Sequence, residues 1–99
     1  MTKTFYYYSN PSTRRKNWLS FAGIYDTETN SICIGVAQCN RKDTFIKKFG
    51  RHIAEERAIK KPCAKVSIPE NFKRGECFVS ACKALAELPT YELFHNTQQ

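Results

Sequence analysis

Long apolar runs are missing from this 99-residue chain. No stretch approaches the roughly 20 apolar residues needed to cross a bilayer, and the polar, aromatic N-terminus lacks the apolar core of a secretion signal. The expectation is a non-exported cytoplasmic protein with no membrane partner. Glycine is scarce, at four residues, and there is no Walker loop, dinucleotide fingerprint or Gly-x-Ser-x-Gly elbow. No Cys-x-x-Cys pair occurs, and the separations of Cys33, Cys39, Cys63, Cys77 and Cys82 match no zinc ribbon or finger. No metal site and no cofactor is therefore expected. An odd number of cysteines, most of them inside apolar runs, fits unpaired thiols acting as small hydrophobes in a reducing compartment. Cys39 and His52 would make a nucleophile and base only with an orienting group and an oxyanion site, and neither can be named. No catalytic residue is assigned, and the expectation is a non-enzymatic protein.

Acidic residues are also few, nine against sixteen Lys and Arg, which leaves a formal charge of +7. Such an excess favours phosphate-rich partners or an anionic membrane surface, and charge alone does not choose between them. The 41% hydrophobic and 13% aromatic content, with seven Phe, five Tyr and one Trp, suffices for a packed interior and argues against global disorder. At this length one modest core is expected, so residues 1–99 read as a single basic domain without repeats or linkers.

Thr2 to Tyr8, rich in Thr and aromatics, reads as a strand ending at Asn10-Pro11. A polar, basic loop leads into a second strand, Trp18 to Tyr25. Asp26 to Asn30 is a turn, and Ser31 to Cys39 completes a hairpin. From Asp43, a candidate N-cap, apolar residues Ile46, Phe49, Gly50, Ile53 and Ala54 recur at helical spacing, which predicts a helix over Thr44 to Lys60 limited by Pro62. Cys63 to Ile68 alternates like a fourth strand, and Glu76 to Leu88 forms a second helix stopped by Pro89. Tyr91 to Phe94 reads as a docked apolar appendage, and residues 95–99 as a frayed tail. The order β-β-β-α-β-α implies an α+β fold, a mainly antiparallel sheet of three to four strands with two helices packed on one face. Were the fourth strand parallel to the third, its crossover would be right-handed.

From Arg41 to Lys61 there are eight basic residues and three acidic ones, Asp43, Glu55 and Glu56. At about 100° per residue, Lys47, Lys48 and Arg51 occupy the flank and outer face of the first two helical turns. A helix N-terminus already carries partial positive charge, so cations there are disfavoured unless solvated or offset by an anion. Together with Arg41, Lys42 and the cluster Arg14, Arg15 and Lys16, they form a candidate phosphate or nucleic-acid surface, with Trp18 as a candidate base-stacking residue. Isolated, a Lys-Lys pair is more often an ordinary solvated face. Arg57 projects close to the Ile46 and Ile53 direction. It snorkels past the sheet edge, pairs with a nearby carboxylate, or offers its planar fork to a phosphate. Gly50 suits close helix-to-strand approach.

The stretch Cys39-Asn40-Arg41-Lys42-Asp43-Thr44-Phe45-Ile46-Lys47-Lys48-Phe49-Gly50-Arg51-His52-Ile53-Ala54-Glu55-Glu56-Arg57-Ala58 resembles a segment of small bacteriophage-encoded accessory proteins. The resemblance implies a viral protein serving host takeover or counter-defence in the host cytoplasm, by binding nucleic acids, signalling nucleotides or host proteins. Two classes of function are thus in view. One is a binder of nucleic acid or a phosphorylated nucleotide through the basic residues. The other is a protein-interaction module that inhibits a host defence or transcription complex, using the aromatic N-terminus, an edge strand and the Tyr91-Leu93-Phe94 tail. An open sheet also leaves edges that homo-oligomer formation would cover.

Overall fold

The computed structural model describes residues 2–10, 18–39, 47–89 and 92–93. Their elements run β1 (Thr2–Ser9), β2 (Trp18–Asp26), β3 (Ser31–Cys39), α1 (Lys47–Lys60), β4 (Ala64–Ser67) and α2 (Arg74–Ala86). One open sheet has the order β1-β2-β3-β4 with every neighbouring pair antiparallel. This is the expected α+β class and element order. Asp43 and residues 44–46, expected at the start of α1, and the tail 95–99 lie outside the described residues.

The β2–β3 hairpin closes on the residues that its turn chemistry requires. The Glu28 amide donates to Asp26 Oδ1 at 3.0 Å, and Asn30 adopts φ 50, a left-handed conformation that Asn tolerates better than most residues. Asn30 is further held by the Tyr25 hydroxyl, which donates to its Oδ1 at 2.7 Å, and by its own Nδ2, which donates to the Ile68 carbonyl at 3.0 Å. The turn is thereby tied to the end of β4.

β4 runs antiparallel to β3, so the parallel crossover does not arise. α1 returns along the sheet from the Cys39 end, and the Cys63 amide bonds the Ile34 carbonyl at 2.8 Å only three residues beyond the helix. The chain enters the sheet at mid-height and continues in the helix's own direction, pairing Ala64 with Ile34 and Ser67 with Ser31.

The two helices do not share a face, contrary to the expectation. Side chains alternate across a strand, and the register separates them cleanly. Leu19, Phe21, Gly23 and Tyr25 stand opposite Gln38, Val36, Ile34 and Ile32 on one face. There α2 packs through Phe78 and Cys82, with Leu93, into the main core with Ile32, Ile34, Val36 and Ile68. Phe5 stacks on Phe78 with ring centroids 5.7 Å apart. The other face carries Ser20, Ala22, Gly35 and Ala37, and α1 lies on it through Ala54, which clusters with Ala22 and Ala37. Both faces of β2 and β3 are buried in consequence, which is why β2 lacks a simple in-out alternation.

The small-residue face sets how α1 sits. A Cβ at Gly35 would collide with the Ala54 carbonyl oxygen and the Ala58 amide nitrogen. Helix backbone therefore rests directly on strand backbone. Among the described side chains of α1, Gly50, Ala54 and Ala58 are buried, while Ile53 is 38% exposed. The expected apolar stripe through Ile53 is thus rotated, because no depth remains beneath the helix for a large side chain. Gly23 plays the same part on the other face, where a Cβ would lie 2.6 Å from two carbons of the Phe78 ring.

Gly35→Ala should cost about 3 kcal/mol, the upper part of the usual overpacking range, since its neighbours are backbone atoms with no rotamer to escape into. A lowered urea midpoint with unchanged slope would record it; unaltered stability would show that α1 is not seated as described. The thiols offer a second check. Burial pushes Cys63 up from 9.0 to about 11, and Cys82 is raised further, by burial first and then by Cys63 nearby. The unfolded thiols ionise near pH 9 while the folded ones keep their protons, so stability should fall as pH rises from 9 to 11. Cys63→Ala should flatten that fall in pH-dependent denaturation.

A candidate anion-binding end of the sheet

The register brings together the strand ends that flank the basic segments. Ser9 pairs with Leu19, Leu19 with Gln38, and Trp18 with Cys39. The connection 10–17 therefore leaves and re-enters the sheet at the end from which the connection 40–46 departs on its way to α1. Residues 10–17 and 40–51 together hold Arg14, Arg15, Lys16, Arg41, Lys42, Lys47, Lys48 and Arg51 against the single acidic Asp43. Outside them, eight basic residues stand against eight acidic ones. The whole formal charge of +7 thus belongs to segments anchored at one end of the sheet. Arg14, Arg15, Arg41 and Lys42 themselves lie outside the described residues, and of Lys47 and Lys48 only the place in the first turn of α1 is described.

Arg51 is exposed and sits one turn into α1. Its guanidinium lies 5.4 Å from the centroid of the Tyr6 ring, a cation–π geometry worth about 0.5–1 kcal/mol at an exposed site. The Tyr6 hydroxyl donates to Glu55 Oε1 at 2.7 Å. That bond, then burial and the Glu55 charge, raise the Tyr6 hydroxyl above its ordinary value, with Arg51 acting in the opposite direction. Arg51 and Glu55, four residues apart on one side of the helix, thus hold a β1 tyrosine between them. Composition and helical spacing single out Arg51 but not Tyr6 or Glu55. The signal for Tyr6 was the alternation in Phe5-Tyr6-Tyr7-Tyr8, which sends Phe5 and Tyr7 to the α2 face and Tyr6 and Tyr8 to the α1 face.

Arg57 takes the sheet-edge position. Its Nη1 donates to the Val36 carbonyl at 2.8 Å. β4 pairs with β3 only from Ser31 to Ile34, so Val36 is beyond its reach and the guanidinium serves a carbonyl on that unpaired stretch. Trp18 is half-buried at the first position of β2, beside the basic connections. The structure thus gathers the attachment points of the candidate cations and Trp18 at one end, with Arg57 farther along the edge of β3. His52 is exposed. Among the described residues no three His, Cys, Asp or Glu side chains converge as a metal site, and no described helix is long and apolar enough to cross a membrane.

A separate groove of about 500 Å³ runs between β4 and α2, lined largely by Val66, Pro69, Phe72, Cys77, Ala81 and Ala84, with Glu76 at its wall. Its apolar surface and its carboxylate do not suit an anion. Leu93, expected in a docked apolar appendage, is only 1% exposed and belongs to the main core, so it is not open to a partner. Tyr91 and Phe94 lie outside the described residues. Comparison with protein-family models, curated proteins and solved structures finds no match to this chain.

Arg57→Ala should lower stability by about 1.5–3 kcal/mol, the range for a hydrogen bond to a charged group, in chemical denaturation without any ligand. Unchanged stability would mean that the Val36 contact contributes nothing and would free Arg57 for a ligand role.

Proposed function

We propose that this protein is a non-enzymatic binder of an anionic ligand, a nucleic acid or a phosphorylated nucleotide, engaged at the end of the sheet from which the two basic connections leave. The observation that carries this reading is the segregation of charge: residues 10–17 and 40–51 hold all of the net +7, and the remainder of the chain is neutral. Solvated surface lysines scattered for solubility would not concentrate in this way. Lys47, Lys48 and Arg51 on α1, with Arg41, Lys42, Arg14 and Arg15 on the connections, supply the phosphate contacts, and Trp18 beside them supplies an aromatic face. In a phage setting such a binder would act as an accessory or counter-defence factor in the host cytoplasm.

A second reading, a protein-interaction module, draws on Phe72, which is 62% exposed beside the apolar groove between β4 and α2. A stable complex with a host protein that survives nuclease treatment and is lost in Phe72→Ser would favour it.

Replacing Lys47, Lys48 and Arg51 together by Glu should abolish nucleic-acid binding while circular dichroism and melting show an intact fold. In the parent protein, affinity should fall steeply with salt, and losing three phosphate contacts in a milder triple Gln variant should reduce the log–log salt slope by about 2–3. Retained binding by a folded triple Glu variant would remove this surface from consideration. Native purification at low salt, followed by denaturation and mass spectrometry of what is released, distinguishes polynucleotide from a small nucleotide.

A further inference from the structure

β4 ends the sheet order, with no strand beyond it among the described residues. The Ile68 amide donates to the Asn30 carbonyl at 3.0 Å, and in an antiparallel pair successive residues turn their main-chain groups to opposite sides of the strand. Ala64, Val66 and Ile68 therefore face β3, while Lys65 and Ser67 turn their N–H and C=O groups outward. Val66 pairs with Ile32, shares its face, and borders the groove beside α2. Phe72 lines the same groove and is 62% exposed, the most exposed aromatic side chain among the described residues. A tight turn presents it: its amide donates to the Pro69 carbonyl at 3.2 Å, and Asn71 before it adopts φ 72. An apolar knob and an apolar hollow of about 500 Å³ thus lie side by side, next to an open strand edge.

We infer that this surface binds a second copy of the chain, β4 against β4 in antiparallel, about a two-fold axis through Val66. The inference goes beyond anion binding and does not rest on it. A two-fold interface needs a patch that complements itself, and here knob and hollow occupy one patch. In this register Lys65 of each copy stands opposite Ser67 of the other, so the outward N–H and C=O groups of both residues all find partners. Lys65 is the one charged residue of β4, and it does not oppose itself across the axis. The two grooves meet where Val66 faces its counterpart, which brings each Phe72 to an apolar surface larger than its own copy offers. Charge favours the same choice. From Cys63 to Pro89 four basic residues stand against three acidic ones, so two copies approach there with almost no net repulsion. β4 pairs only with Ser31 to Ile34, and Cys39, where the sheet hands over to a basic connection, lies about 17 Å farther along β3 at the usual rise per residue. The two-fold axis points the two Cys39 ends in opposite directions and keeps the excess charge of the copies apart.

The test is sedimentation equilibrium of the full chain after nuclease treatment, across a range of micromolar concentrations. A monomer–dimer equilibrium is expected. Phe72→Ser, at an exposed position that the fold does not need, should raise the dimer dissociation constant at least about ten-fold, as for an interface hot spot. Val66→Cys reads the register directly. A non-hydrogen-bonded antiparallel pair sets its Cα atoms about 4.5 Å apart, within disulfide reach, so mild oxidation should give a covalent dimer that the parent chain does not give. A mass that stays monomeric, a dimer that Phe72→Ser leaves intact, or a Val66→Cys chain that forms no such link would each overturn the inference. The first of these would leave Phe72 to a host protein. Because no nucleic acid is present, none of these outcomes bears on the anion-binding reading.

Discussion

The backbone contact between α1 and Gly35 governs the remainder of the molecule. Because no side chain separates the Ala54 and Ala58 backbone from β3, the helix lies low and can cover only β2 and β3. Its sides then meet different surroundings. Arg51 and Glu55 lean toward β1 and hold Tyr6, while Arg57 reaches the open edge of β3 at Val36. A Cβ at Gly35 would lift the helix, and both sets of contacts would be lost together. Gly35 is thus a packing residue whose consequences are electrostatic: it decides where the cations of α1 stand relative to the sheet.

The sheet divides its two tasks between its faces. Large side chains, Leu19, Phe21, Ile32, Ile34, Val36 and Phe78, are gathered on the α2 side, where they supply most of the apolar burial. Among the described residues, the α1 side contributes close contact between small residues, Ala22, Ala37 and Ala54. In a chain of this size that asymmetry matters, because the core is modest and cannot be split evenly. Stability resides mainly with α2, which leaves the α1 side and its connections free to carry charge. The position of Cys82 in the core and of Cys63 against it follows from the same division, and burial makes both of them poor nucleophiles.

Much of the architecture was legible in the chain. The strands showed in their aromatic and β-branched runs, the hairpin turn in Asp26 and Asn30, and the helices in periodicity bounded by Pro62 and Pro89. The placement of the helices on opposite faces was not legible, because both faces of a doubly covered strand are apolar and Trp18-Leu19-Ser20-Phe21-Ala22-Gly23-Ile24-Tyr25 offers no polar face to exclude one side. The rotation of α1 was hidden for a related reason. Periodicity ranks Ile53 above Ala54 by hydrophobicity, whereas the site selects for size. Arg51 was visible as a cation, but its partner Tyr6 is 45 positions away, and only the register of β1 on β2 brings them together. Arg57 looked anomalous on its wheel, and the bare Val36 carbonyl supplies the reason, since β4 is too short to cover it.

The charge at the α1 end is itself an argument about binding. The described part of α1 opens on Lys47 and Lys48 and has no acidic residue before Glu55. Cations near a helix N-terminus oppose its dipole by about 0.3–1 kcal/mol each at low ionic strength. Arg57 and Lys60 in the last turn, by contrast, are favourably placed. In the proposed anion-binding role, a polyanion over that end would offset the repulsion among these cations, so that charge which costs the free protein stability would contribute affinity.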